Sequence, residues 1–188
     1  LVAHRGRTET THHPHTTMTT TQTPELQHLL VDQLKDIYWA EKKLETTLPK
    51  LAKQAQGPEL KAAFEAHHIE TQTHLTRIEE MFGHLGLKPQ AKKCDAMQGL
   101  LEEGDTLAKE YAGSPGLDAA LITAAQKVEH YEIATYGTLR AFAKNLGLTE
   151  VVKLITATID EEGAADKKLT RIAEAKSNRT AERVAAAS

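Results

Sequence analysis

Seven residues of this chain are spaced so that they could do chemistry together: Glu41, Glu70, His74, Glu129, Glu132, Glu162 and Asp166. Each stands where an apolar stripe, stepping by three and four, would otherwise continue. Residues three and four apart share one face of a helix, and an apolar stripe of that width faces a core. Six acids and one imidazole are therefore aimed at an interior. Carboxylates crowded in a dry place repel one another, and most would have to hold protons. Two divalent or trivalent cations remove that conflict. Oxygen-rich ligation with an imidazole suits iron or manganese better than a structural zinc site.

Four helices are needed to position these groups. The first opens at Thr23-Pro24-Glu25, with Thr23 as N-cap and proline in the first turn, and stops at Gly57-Pro58. Its stripe is Leu26, Leu30, Leu34, Ile37, Glu41, Leu44, Leu48 and Leu51, with a kink expected at Pro49. The second runs from Pro58 to Leu85, with Gly86 as its cap, and its stripe is Ala63, His67, Glu70, His74, Ile78, Met81 and Leu85. The third, from Leu117 to Leu146, carries Ile122, Ala125, Glu129, Glu132, Tyr136, Leu139 and Ala143. The fourth, from Thr149 to Ala175, carries Val152, Ile155, Ile159, Glu162, Asp166, Leu169 and Ala173. A crossover from Leu87 to Gly116 joins the two pairs and holds a shorter helix between Ala91 and Tyr111.

The expectation is an all-α protein: a four-helix bundle of two antiparallel pairs joined by a long crossover that contains an extra short helix. Di-iron and di-manganese carboxylate bundles draw a Glu from each of two helices and a Glu-x-x-His from each of the other two. Here the second ligand comes four residues on, and Asp166 stands where a second histidine would be. Any one of these acids alone also reads as a capping group or an exposed stripe edge. Four stripes that all break at an acid near their middle are far more specific. Tyr38, His67 and His130 are candidates for outer groups that orient the ligands.

Composition narrows the function classes. There are 188 residues with a formal net charge of −3, which argues against a generally basic nucleic-acid surface. No apolar run approaches the roughly 18 residues of a membrane span. The one cysteine, Cys94, excludes an internal disulfide and a CxxC metal knuckle, and suits a reducing cytoplasm. Residues 1–23 contain THHPHTTMTTTQT, which has no hydrophobic period and is read as a disordered Thr/His-rich extension. Met18 is a candidate natural start within it. The bundle domain is expected over 24–176, with a fraying tail over 177–188.

The segments DQLKDIYWAEKKLETTLPKLAK, HHIETQTHLTRIEEMF, AAQKVEHYEIATYGTLRAFA and IDEEGAADKKLTRIAE resemble the YciE/YciF family of bacterial ferritin-like stress proteins, across about Glu25 to Ala175. The resemblance implies a rubrerythrin- or ferritin-like bundle, usually dimeric, with a di-iron-type site. It also strengthens Glu129 and Glu132, since rubrerythrins carry a similar pair of acids three apart on the third helix. The chain departs from rubrerythrins in lacking a four-cysteine rubredoxin domain, so an electron donor would be external. The expected function is therefore a cytoplasmic, homodimeric di-iron (or manganese) protein that reacts with dioxygen or peroxide or oxidises ferrous iron. The alternative is a non-enzymatic dimeric bundle with a structural or iron-sequestering role. Neither nucleic acid nor membrane is an expected partner.

Overall fold

In the computed structural model of the chain, residues 25–185 are described. The Thr/His-rich extension, the N-cap at Thr23 and the last three residues lie outside them. Among the described residues every regular element is helical: α1 (Glu25–Gln54), α2 (Pro58–His84), α3 (Asp95–Glu110), α4 (Leu117–Asn145), α5 (Thr149–Ile172) and α6 (Asn178–Ala185). One π turn, Ala173–Ser177, joins α5 to α6.

Helices α1 and α2 pack along each other, as do α4 and α5; α2 then lies against α5 and α1 against α4, closing a four-cornered bundle. Helix α3 lies in the crossover and packs mainly on α4, touching α1. Helices α2 and α4 are each followed by a glycine with positive φ, Gly86 at 69° and Gly147 at 71°. In each, the residue after the glycine donates back five positions, Leu87 to the Phe82 carbonyl and Leu148 to the Ala143 carbonyl, at 2.9 Å. Only glycine adopts that left-handed conformation without strain, so the helices stop where the sequence placed their caps.

The expected boundaries hold to within a few residues, with one difference. Helix α1 runs through Pro49 and ends at Gln54, just before Gly57-Pro58. The chain after Lys176, expected to fray, stays helical through α6. The crossover is pinned rather than loose. Lys92 donates its backbone N–H to the Lys35 carbonyl at 3.0 Å. The Tyr131 hydroxyl donates to Asp36 at 2.7 Å and lies 3.0 Å from the Cys94 thiol. Cys94 also caps α3, its sulfur accepting from the Met97 N–H.

The apolar core has two ends and a polar middle. Leu30, Leu34, Ile78, Met81, Phe82 and Leu139 belong to the core, as do Leu44, Leu48, Phe64, Leu121 and Leu169. Between the two runs on α1 sits Glu41, which is wholly buried. That interruption, repeated on α2, α4 and α5, forms the chamber described next.

Candidate metal centre

Six ionisable side chains meet in the middle of the bundle: Glu41 from α1, His67 and His74 from α2, Glu129 and Glu132 from α4, and Glu162 from α5. None is more than 6% exposed. They form two overlapping groups. One ligating atom each from His67, Glu129, Glu132 and Glu162 lies within 4.8 Å of the others, and the same holds for Glu41, His74 and Glu162. Glu162 belongs to both, as a carboxylate bridging two cations would.

Each imidazole is oriented from outside by a carboxylate. His74 Nε2 lies 2.9 Å from Glu161 Oε2, and two guanidinium nitrogens of Arg77 donate to the two oxygens of the same carboxylate. Its Nδ1 therefore faces inward, 3.0 Å from Glu162 and 3.4 Å from Glu41, with hydrogen-bond geometry to neither. His67 is turned the opposite way. Its Nδ1 meets Glu70 at 3.0 Å, and its Nε2 points in, 3.4 Å from Glu129 and 3.5 Å from Glu162. A metal-ligating histidine is characteristically held this way, its outer nitrogen donating to a carboxylate so that the inner lone pair is fixed.

Of the sequence-derived candidates, Glu41, His74, Glu129, Glu132 and Glu162 are brought together. Glu70 and Asp166 are not. Glu70 is 44% exposed and serves His67 from outside. Asp166 accepts from Gln126 at 3.0 Å and has the exposed His130 at 3.4 Å. Tyr38, expected beside Glu41, instead donates to Glu79 at 2.7 Å on the outer side of α1 and α2. His67 moves the other way, from outer partner to the chamber itself.

The physical reason is rotation about the helix axis. After His67, a step of three selects Glu70 and a step of four selects Thr71, and both lead on to His74. The fold buries Thr71 (1% exposed) and leaves the acid at the rim. On α5 the buried line is Val151, Ile155, Thr158, Glu162 and Leu169. It is turned slightly from the expected stripe, which moves Asp166 to its edge.

Two contributors were not singled out from the sequence. Glu161 looks like a solvated acid until Arg77 and His74 converge on it. Tyr136 lay on the α4 stripe as a core residue, but its buried hydroxyl donates to Glu41 Oε1 at 2.5 Å. No sequence signal marks Glu161; the wholly polar reach of Tyr136 towards a neighbouring core acid was a weak one.

The electrostatics show a shortage of positive charge. Burial, then the charges of Glu162, Glu41 and Glu129, push Glu132 well above the ordinary carboxylate range. Burial also raises Glu129 well above that range, and Glu162 adds to it against the pull of His67. Glu41 is raised by burial despite His74. For Glu162 burial acts upward, but the two imidazoles prevail and hold it below its usual value. The imidazoles answer in kind. Burial pulls His67 down, yet Glu70, Glu129 and Glu162 carry it to about 9, and His74 reaches about 11 beside Glu162 and Glu41. Four carboxylates and two imidazoles in one buried chamber fit a pair of divalent cations, which would balance the charge with both imidazoles neutral.

Fold and site together define an all-helical bundle protein with a buried carboxylate–imidazole cluster. The chain belongs to the DUF892 family, a domain of unknown function, whose pattern matches residues 25–182. It is 42% identical over 158 residues to protein YciF of Escherichia coli K12, covering 84% of this chain and 95% of that protein. The crystal structure of the E. coli stress protein YciF superposes with a TM-score of 0.76 at 42% identity, over 80% of this chain and 96% of the other. YcfI of Rhodopseudomonas palustris, for which a structural role has been proposed, gives the same score and identity over 82% and 97%. A Xanthomonas campestris protein at 25% identity gives 0.66 over 85% and 97%.

Proposed function

We propose that this chain is a dinuclear metal–carboxylate protein that holds iron or manganese at the bundle centre and reacts with dioxygen or peroxide, or oxidises ferrous iron as its substrate. The observation that carries the reading is a set of orphaned oxygens. Glu41 Oε2, Glu129 Oε2 and both oxygens of Glu132 and of Glu162 are buried with no hydrogen-bond partner in the protein. A buried polar group left unpaired costs about 1–3 kcal/mol, and more when charged. Six in one chamber, beside an inward imidazole nitrogen in the same condition, fit ligation better than packing.

In this reading Glu41 and His74 would hold one ion and His67, Glu129 and Glu132 the other, with Glu162 common to both groups. When bound, the ions supply a redox couple able to take up oxidising equivalents from dioxygen or peroxide. The protein's part is positional. Arg77 fixes Glu161, and Glu161 keeps the His74 proton on the outer nitrogen. Glu70 does the same for His67. Tyr136 occupies one oxygen of Glu41 and leaves the other free. Thr71 is buried on α2 with an unpartnered hydroxyl. The reading includes a cytoplasmic homodimer served by an external electron donor.

Elemental mass spectrometry of the purified protein tests it, beside Glu162→Ala. Near two iron or manganese ions per chain, lost in the variant, with ferrous oxidation or peroxide consumption lost in step, is the expected result. No metal after anaerobic loading with ferrous iron overturns it. The structural role proposed for the R. palustris relative favours a second reading, a non-catalytic bundle, which predicts that negative result and a fold indifferent to chelators. Solution mass separates a dimer from a many-subunit storage shell.

A further inference from the structure

A cavity of about 250 Å³ between α2 and α5 ends on His67 and Glu129. Both side chains are more than nine-tenths buried, and Glu129 Oε2 has no partner in the protein. The cavity thus leads from solvent to one half of the cluster. Its walls are apolar, Phe64 and Leu169, with room left by Ala63 and Ala165. Its mouth carries Lys168 and Arg171, both exposed and in no ion pair among the described residues. The acid beside them, Glu70, is engaged by His67.

These features leave room for a molecule larger than dioxygen or hydrogen peroxide. A molecule of water size takes about 30 Å³ of liquid volume, and the space is several-fold greater. Two free cations at the mouth favour an anion on this route. We propose that the cavity binds a small organic anion, its apolar body along Phe64 and Leu169 and its carboxylate paired with Lys168 and Arg171. The unpaired cations lie at the mouth, so the ligand enters with its uncharged end towards His67 and Glu129. This deepens the metal-centre reading by naming the class of molecule that reaches it, and it rests on that reading only for the ligand's fate there.

The probe is octanoate, with 1-octanol as its uncharged counterpart, titrated calorimetrically into the full chain, metal-free and manganese-loaded. Octanoate is expected to bind about tenfold more tightly than octanol, the order of two solvent-facing ion pairs. Reversing both charges, Lys168→Glu with Arg171→Glu, should remove that preference without altering helix content, since both positions are exposed. Ala165→Phe should fill the space and abolish binding of both probes; if it does not fold, the charge reversal still decides. No octanoate binding, equal affinity for octanol, or affinity untouched by charge reversal overturns the proposal. Metal content is read on the same samples. Octanoate binding by protein that takes up no manganese or iron on loading refutes the metal reading alone, and metal uptake without octanoate binding refutes this one alone.

Discussion

Glu162 lies 3.0 Å from His74 and 3.5 Å from His67, and it is the carboxylate common to both groups of potential ligands. Removing it should empty both metal positions, whereas Glu41→Ala should lose one ion and keep the other. Metal per chain, measured on both variants with helix content as a control, distinguishes a shared bridge from two independent sites. The outer carboxylates make a second residue-level test. If Glu70 and Glu161 act by fixing imidazole tautomers, Glu70→Ala and Glu161→Ala should each weaken metal binding by roughly 10- to 100-fold without changing stoichiometry at saturation. Were Glu70 itself a ligand, as its spacing to His74 first suggested, its loss should instead lower the number of ions held. Competitive titration with a chelator reads the difference.

At the scale of elements, the α1–α2 connection is held by a residue far away in sequence. Asp118, in the first turn of α4, accepts from the backbone N–H groups of Gln56 and Gly57, both at 2.8 Å. It fixes the end of one helix pair to the start of the other, and so the height at which Glu41 and Glu129 face each other. Asp118→Ala should destabilise the fold by about 1–3 kcal/mol, because two donors lose their acceptor. Gly57→Ala should act in the same direction. Its backbone is ordinary for any residue, but an added Cβ would come within 2.9 Å of Asp118 Oδ2. Urea unfolding of both variants measures this, and an unchanged midpoint for Asp118→Ala would show the clamp to be ornamental.

At the scale of the molecule, the chamber couples stability to pH and to metal. In the metal-free protein His67 is raised from 6.5 to about 9, so its contribution to stability is complete below about 6.5 and is lost as pH rises through about 9. His74, raised to about 11, acts in the same sense. Glu129 and Glu132, raised by burial, also favour the fold at lower pH. Glu162, lowered, opposes them only in acid. Metal-free protein should therefore lose thermal stability between pH 6.5 and 9. Metal competes with protons for these same groups, so the gain in Tm on adding manganese should grow over that interval. At a hundredfold excess over Kd the gain is about 2.7 kcal/mol. Thermal unfolding with and without manganese, at several pH values, tests both slopes; parallel curves would mean that the metal sits elsewhere.

The sequence by itself determined the helices, their stops and the break in each stripe, because helical period, glycine caps and the cost of burying acids are local matters. It therefore placed Glu41, His74, Glu129, Glu132 and Glu162 on core-facing lines before any packing was known. Tertiary structure decided what a period of 3.6 leaves open. Glu70 and Thr71 lie on adjacent lines of α2, and only the seating of that helix against α1 and α5 buried the threonine and brought His67 inward. The same rotation of α5 set Asp166 at the edge, against Gln126. Glu161 could be joined to His74 and Arg77 only by contact across helices, since that partnership spans more than eighty residues and leaves no periodic mark.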